Sequence, residues 1–225
     1  MRALLVDQSR DRALVVGVRA LASAGYEVGT GAPSRSFASL SRFAGTHHAV
    51  REASADEDGF LADIGRAVAE EGYDIVFCTY EAGIGALSRR REEIAPAVWP
   101  YPSAHSVARA FDKLELFRAA RAAGVPTPLT EPASEEALAS WQGAVIVKAR
   151  NHVPSRFDTA LFSSANQARE LVERTIAEGG EPLLQEPLHG RMGAVVIVVG
   201  HDGSLLAEVH QEAGRRGAPG AGDSV

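Results

Sequence analysis

The sequence predicts an α/β domain with an open, mostly parallel sheet, followed by an α+β domain with antiparallel strands. Two observations carry this. Residues 1–108 alternate short apolar runs of strand length with stretches of helical periodicity, the pattern of repeated β-α units. Residues 109–225 set strand patterns side by side, and the turn signal "HDGS" at 201–204 separates two of them.

A chain of 225 residues is long enough for two cores. Hydrophobic residues make up 45% and charged residues 23%, the balance of a soluble globular protein. The net charge of −6 argues against a nucleic-acid or anionic-membrane partner, while leaving room for a local basic pocket. The single cysteine makes no internal disulfide, which points to a reducing cytoplasm. No apolar run is long enough to span a membrane, and the run after Met1 ends at Asp7, too short for a signal peptide.

The first half reads element by element. "ALLV" at 3–6 is a short continuous apolar run, as in a parallel strand buried on both faces. Leu14, Val18 and Leu21 follow helical spacing over 11–24, and Gly25 stops that helix. "YEVGTG" is a second strand with its turn. Residues 31–46 are loop-like, with a short helix at 36–43, and "HHAV" at 47–50 is a third strand. Phe60, Ile64 and Val68 mark a helix over 59–71 that ends at Gly72. "DIVFC" at 74–78 is the clearest strand, residues 81–93 are helical, and "AVWPYPS" is a last extended segment. This alternation predicts a Rossmann-like domain. The turn after its first strand, "DQSRDRALVVG", lacks the early glycines of a dinucleotide fingerprint, which weighs against NAD or FAD.

The second half opens on a helix over 112–123, with Asp112 as N-cap and Gly124 and Pro126 as stop. The extended "VPTPLT" follows, then a short helix at 134–140 and the strand "GAVIVKAR". "TALFSS" is the next strand, with Ser164 as cap of a helix over 165–178. "PLLQEPL" at 182–188 is a strand, and the hairpin around "HDGS" comes last. His47 and His48 are adjacent in a strand, so they point to opposite faces and read as surface or loop residues rather than a metal pair. Cys78 ends an apolar strand and reads as inert.

Two lysines are out of place unless they meet an anion. Lys113 stands in the first turn of a helix, where the dipole disfavours a cation by roughly 0.3–1 kcal/mol. Lys148 stands inside an apolar strand, where an unpaired ammonium is expensive. A nucleoside triphosphate bound without a P-loop needs such cations from separate elements, plus an apolar slot with hydrogen bonds at one edge. "LLQEPL" has the composition for that slot.

The order of an Asp-Lys helix, "GVPTP", a strand lysine, a helix, "LLQEPLHG" and a hairpin resembles the ATP-grasp superfamily. Within it, the order is closest to the branch of carbamoyl-phosphate-synthase-like proteins and carboxylate–amine ligases. "RALLVDQSRDRALVVGVRALASAGYEV" and "YDIVFCTYEAGIGALSRRREEI" resemble the Rossmann-like domain that precedes the ATP-grasp domain in that branch. The resemblance implies a pre-ATP-grasp domain at 1–108 and an incomplete ATP-grasp domain at 109–225. The latter would hold a small ATP-binding lobe at about 125–185 and the start of a second lobe at 186–225. It implies that Lys113 and Lys148 contact ATP phosphates. It implies that Gln185 and the Glu186 carbonyl face the exocyclic amine of adenine, and that the Leu188 amide faces a ring nitrogen. The implied reaction phosphorylates a carboxylate and lets an amine attack the acyl phosphate.

Three departures from the family pattern accompany the resemblance. "RNHVPSRFD" at 150–158 holds no glycine where a glycine-rich phosphate loop is usual, and Arg150, His152 and Arg156 are the alternative source of charge. Met192 stands about where a ribose-binding carboxylate is usual, with Glu186 as a substitute. The sequence ends at "RRGAPGAGDSV", before the acidic and asparagine residues that hold Mg²⁺ in the family. The expectation is therefore no metal ligands, unassigned catalytic residues, Mg²⁺ only with a further C-terminal half, and little ligase activity in this chain alone. The alternatives are a non-catalytic, shortened nucleotide-binding or scaffold homologue, and a Rossmann-like domain with an unrelated partner. Open sheet edges leave a homo-oligomer as a partner state.

Overall fold

A computed structural model describes residues 1–8, 11–151 and 159–214. The chain divides into two compact units, Met1–Phe111 and Asp112–Val225.

The first unit is built on four parallel strands: β1 (Arg2–Val6), β2 (Glu27–Ala32), β3 (Ala44–Ala49) and β4 (Ile75–Cys78). Their order is β3-β2-β1-β4. The helices are α1 (Arg12–Ser23), α2 (Glu57–Glu71), α3 (Glu81–Arg89) and α4 (Ala104–Phe111). The apolar run of β1 is explained by its two-sided burial. Leu4 and Val6 join Phe60, Ile64 and Leu87 in one core, while Ala3 and Leu5 join Leu14, Val18 and Val28 in the other. Phe60 is fully buried, worth about 1.5–3 kcal/mol over an exposed ring. Asp11 caps α1 through the Ala13 amide at 2.7 Å, and Asp56 caps α2 through Gly59 at 2.9 Å. α2 ends at Gly72, whose φ of 64° is left-handed and costs glycine little.

Several sequence expectations need correction here. The helix expected over 81–93 stops at Arg89, and a 3₁₀ turn covers Arg91–Ile94. The segment around Val98 contributes only an isolated parallel bridge to Ile75. Helix α4 was not anticipated: it is short, eight residues, and buries only Val107. His47 and His48 do lie on opposite faces, but neither is a free surface residue. His47 Nδ1 lies 3.2 Å from Thr30 Oγ1, and His48 Nε2 lies 2.8 Å from the Tyr73 hydroxyl. Cys78 is buried, and burial pushes its thiol up to about 12.

The second unit holds α5 (Lys113–Ala122), β5 (Thr130–Pro132), α6 (Glu135–Ser140), β6 (Val145–Ala149), β7 (Thr159–Phe162), α7 (Ala165–Ala177) and β8 (Pro182–Gln185). The strands form one antiparallel sheet in the order β5-β8-β6-β7. Period-two alternation divides its faces. Val145, Val147 and Leu184 pack with Leu138 of α6 and with Ala168 and Val172 of α7. Lys148, Leu183 and Gln185 belong to the opposite face, toward α5. Ser164 holds the N-cap position of α7 but makes no capping bond. Ser163 instead donates from its amide and hydroxyl to Gln167 Oε1, at 3.3 and 2.8 Å. The last elements, β9 (Gly193–Val199) and β10 (Leu205–Glu212), pair antiparallel across the turn at Gly203. Every residue of these two strands is exposed. Among the described residues, no helix is long and apolar enough to cross a membrane.

Candidate functional site

A cleft of about 310 Å³ lies between α5 and the open face of the β5-β8-β6-β7 sheet. Its walls are Leu116, Phe117 and Ala120 from α5, Leu183 from β8, and Thr127, Pro128 and Thr130 from the segment entering and forming β5. The amphipathic stripe of α5 thus serves two purposes. Leu114 is buried, while Phe117 and Ala120 form a cleft wall.

Three of the five site residues expected from sequence border this one cleft: Lys113, Lys148 and Gln185. Lys113 is the first residue of α5. Lys148 sits on β6, an interior strand, opposite Thr159 on one side and Leu183 on the other. An edge-blocking role for this lysine is thereby removed. Burial first, and the Lys113 charge second, push the Lys148 ammonium below its usual pKa. Among the described residues, neither ammonium has a carboxylate partner within ion-pair distance.

The registers give the cleft a direction. Lys148 lies opposite Leu183, and Gln185 lies two residues further along β8, opposite Ile146 and Thr130. Along α5, Lys113 and Ala120 are about 10 Å apart at the helical rise. One end is therefore cationic. The other is polar and uncharged, with Gln185, Thr130 and Thr127. Gln185 Nε2 donates to Thr130 Oγ1 at 2.8 Å. The Thr127 hydroxyl is buried without a hydrogen-bond partner among the described residues.

The other two expected residues lie elsewhere. Glu186 is tied to Leu129: its amide donates to the Leu129 carbonyl at 2.9 Å, and its carboxylate accepts from the Leu129 amide at 3.2 Å. Leu188 is 68% exposed and does not border the cleft. Met192 precedes β9, where its carbonyl accepts from Ala213, also away from the cleft walls.

Arg150 is not a free source of charge for the cleft. Its guanidinium donates to both oxygens of Asp112, with a shortest distance of 2.7 Å, and lies 3.3 Å from Glu181. His152 and Arg156 fall outside the described residues. Thr127 and Thr130 were not singled out as site residues in the sequence. Their only signal was position in "GVPTP" and its extension, which carries no chemistry without the fold. Among the described residues, no group of three or more His, Cys, Asp or Glu could hold a metal ion.

No protein-family model matches the sequence, and no curated protein sequence matches it. Solved structures do match the fold. An L-amino acid ligase from Bacillus licheniformis aligns with a TM-score of 0.71 at 12% identity, over 94% of this chain and 51% of that one. An N5-carboxyaminoimidazole synthetase from Staphylococcus aureus, complexed with ADP, aligns with a TM-score of 0.69 at 14% identity, over 95% and 54%. A biotin carboxylase–ATP complex from Campylobacter jejuni aligns with a TM-score of 0.68 at 16% identity, over 95% and 51%. The chain spans about half the length of these structures. At such identities the likeness is one of fold, and the fold of this chain is that of the ATP-grasp carboxylate–amine ligases.

Proposed function

We propose that the cleft binds ATP and that the chain is the ATP-binding part of a carboxylate–amine, or carbamoyl-phosphate-synthase-like, ligase. One observation carries this reading: Lys113 and Lys148 border the same cleft without a carboxylate partner among the described residues, and Gln185 borders it at the uncharged end. Two ammonium groups held near each other in a partly buried wall are costly unless an anion joins them. A triphosphate supplies that anion. The start of α5 adds the positive end of its dipole. Phe117, Ala120 and Leu183 suit the apolar faces of a base. The ADP and ATP complexes among the similar structures support the choice of nucleotide.

On this reading, residues 1–108 form the Rossmann-like pre-ATP-grasp domain and 109–225 belong to the ATP-grasp domain. Gln185 takes the exocyclic amine of adenine at the uncharged end of the cleft. In the proposed reaction a carboxylate oxygen attacks the γ-phosphorus and ADP leaves. An amine then attacks the acyl phosphate, and inorganic phosphate leaves. The lysines' part is to bind and neutralise the phosphates and so hold the γ-phosphorus in line. No step is assigned through Mg²⁺, for which the described residues offer no ligand set.

Calorimetric titration with ATP and ADP tests the reading. The intact chain is expected to bind both, and Lys113→Ala and Lys148→Ala each to weaken binding about tenfold or more. Binding unchanged in both variants, or no binding by the folded chain, would overturn it.

A further inference from the structure

We propose that Arg150 keeps the lysine end of the cleft cationic by sequestering the Asp112 carboxylate, the acidic group next in sequence to Lys113. This rests on the nucleotide reading of the cleft.

A carboxylate beside Lys113 is a built-in competitor for any phosphate. Left free, it would pair with one of the two lysines, which have no carboxylate partner among the described residues, and neutralise half the anion site. The structure spends it elsewhere. Asp112 Oδ1 accepts from the Leu114 and Glu115 amides at 3.0 and 3.1 Å, which caps α5. Arg150 Nε lies 3.0 Å from both oxygens, and Arg150 Nη2 lies 2.7 Å from Oδ2. Five donor contacts leave a carboxylate little capacity for another partner. The same guanidinium holds the Asp112 carboxyl below its usual pKa, so it stays ionised and bonded. Arg150 also takes up Glu181, and Arg118 takes up Glu115 at 2.8 Å. Asp112, Glu115 and Glu181 are thus tied to arginines, and the lysines are left to the ligand.

The backbone makes the arrangement local. The Lys113 amide donates to the Arg150 carbonyl at 3.1 Å, and the Arg150 amide donates to the Glu181 carbonyl at 2.9 Å. Arg150 stands two residues after Lys148, at the end of the strand that carries it. The residue that disarms Asp112 is therefore joined to both lysines.

Sequestration and simple mechanical pinning predict opposite results for one pair of variants. Asparagine caps a helix as well as aspartate does, yet carries no charge. The affinities of ATP and of inorganic tripolyphosphate would be measured by calorimetry for wild type, Arg150→Gln, Asp112→Asn and the double variant. Sequestration predicts that Arg150→Gln weakens both ligands about five- to tenfold. It predicts that Asp112→Asn binds at least as well as wild type, and that the double variant recovers to within about twofold of wild type. A double variant as weak as Arg150→Gln, an unchanged Arg150→Gln, or a weakened Asp112→Asn would overturn the proposal. If Arg150→Gln does not fold, Asp112→Asn and the double variant still decide it. Wild type that binds neither ligand would instead overturn the nucleotide reading itself, and this proposal with it.

Discussion

Gln185 donates its side-chain amide to the Thr130 hydroxyl at 2.8 Å, and Thr130 passes its own hydrogen to the Pro128 carbonyl at 3.1 Å. The relay takes one of the two N–H donors of the Gln185 amide and fixes which edge of it faces Thr130, leaving Oε1 as an acceptor. An acceptor at the uncharged end of the cleft matches the amine of adenine and mismatches the carbonyl of guanine. We predict that the chain prefers ATP to GTP by about tenfold. Thr130→Val releases the amide to turn over, and the preference should narrow to about threefold or less. Competition titrations with the two nucleotides read this directly.

Lys148 is half-buried on an interior strand, and its ammonium is disfavoured by burial and by Lys113. A group held in that state for a ligand costs stability when the ligand is absent. Lys148→Met is therefore expected to raise the ligand-free melting temperature by about 2–4 °C while abolishing measurable ATP binding. A lower melting temperature would show that Lys148 has a stabilising partner.

Thr127 presents a similar account on a neutral group. Its hydroxyl is buried and unpaired among the described residues, and such a group carries a desolvation cost with no return. Thr127→Val keeps the shape and removes the hydroxyl. Denaturant unfolding should show a gain of about 1 kcal/mol for Val and none for Ser. A loss with Val would mean that the hydroxyl is paired in solution.

His47 and His48 make folding pH-dependent. Burial lowers the pKa of both in the folded protein, so the unfolded chain binds their protons more readily. Their contribution to stability is full above the ordinary histidine value of 6.5. It falls as pH drops through that value toward the depressed folded values. Urea midpoints measured at about pH 7.5 and about pH 5.5 should differ, and His47→Gln with His48→Gln should reduce the difference. An unchanged difference would place the pH response on other groups.

Much of this architecture was legible one element at a time. Burial on both faces writes itself into β1 as an unbroken apolar run, and capping chemistry writes Asp112 into the start of its helix. Such signals are local, because the atoms that satisfy one another lie within a few residues. Where the signal was short or shared, it misled. Helix α4 was missed because it is only eight residues long, and the Ser164 cap was displaced by the bonds of Ser163 to Gln167. The histidine pair looked superficial because its partners, Thr30 and Tyr73, come from a neighbouring strand and from the residue after α2's stop.

By itself, the sequence determined that two lysines stand where lysines are costly, one at a helix start and one inside an apolar strand. It also determined the order of strands and helices that resembles the ATP-grasp fold. Only the tertiary structure decided that Lys113, Lys148 and Gln185 border one cleft, because sheet order and register place β8 beside β6 and bring α5 over their open face. It also decided that Arg150 belongs to Asp112 rather than to the cleft, and that Leu188 stands apart from it. Propensity and capping act over a few residues, whereas the partner of a charge is chosen by whatever the folded chain brings within about 4 Å of it.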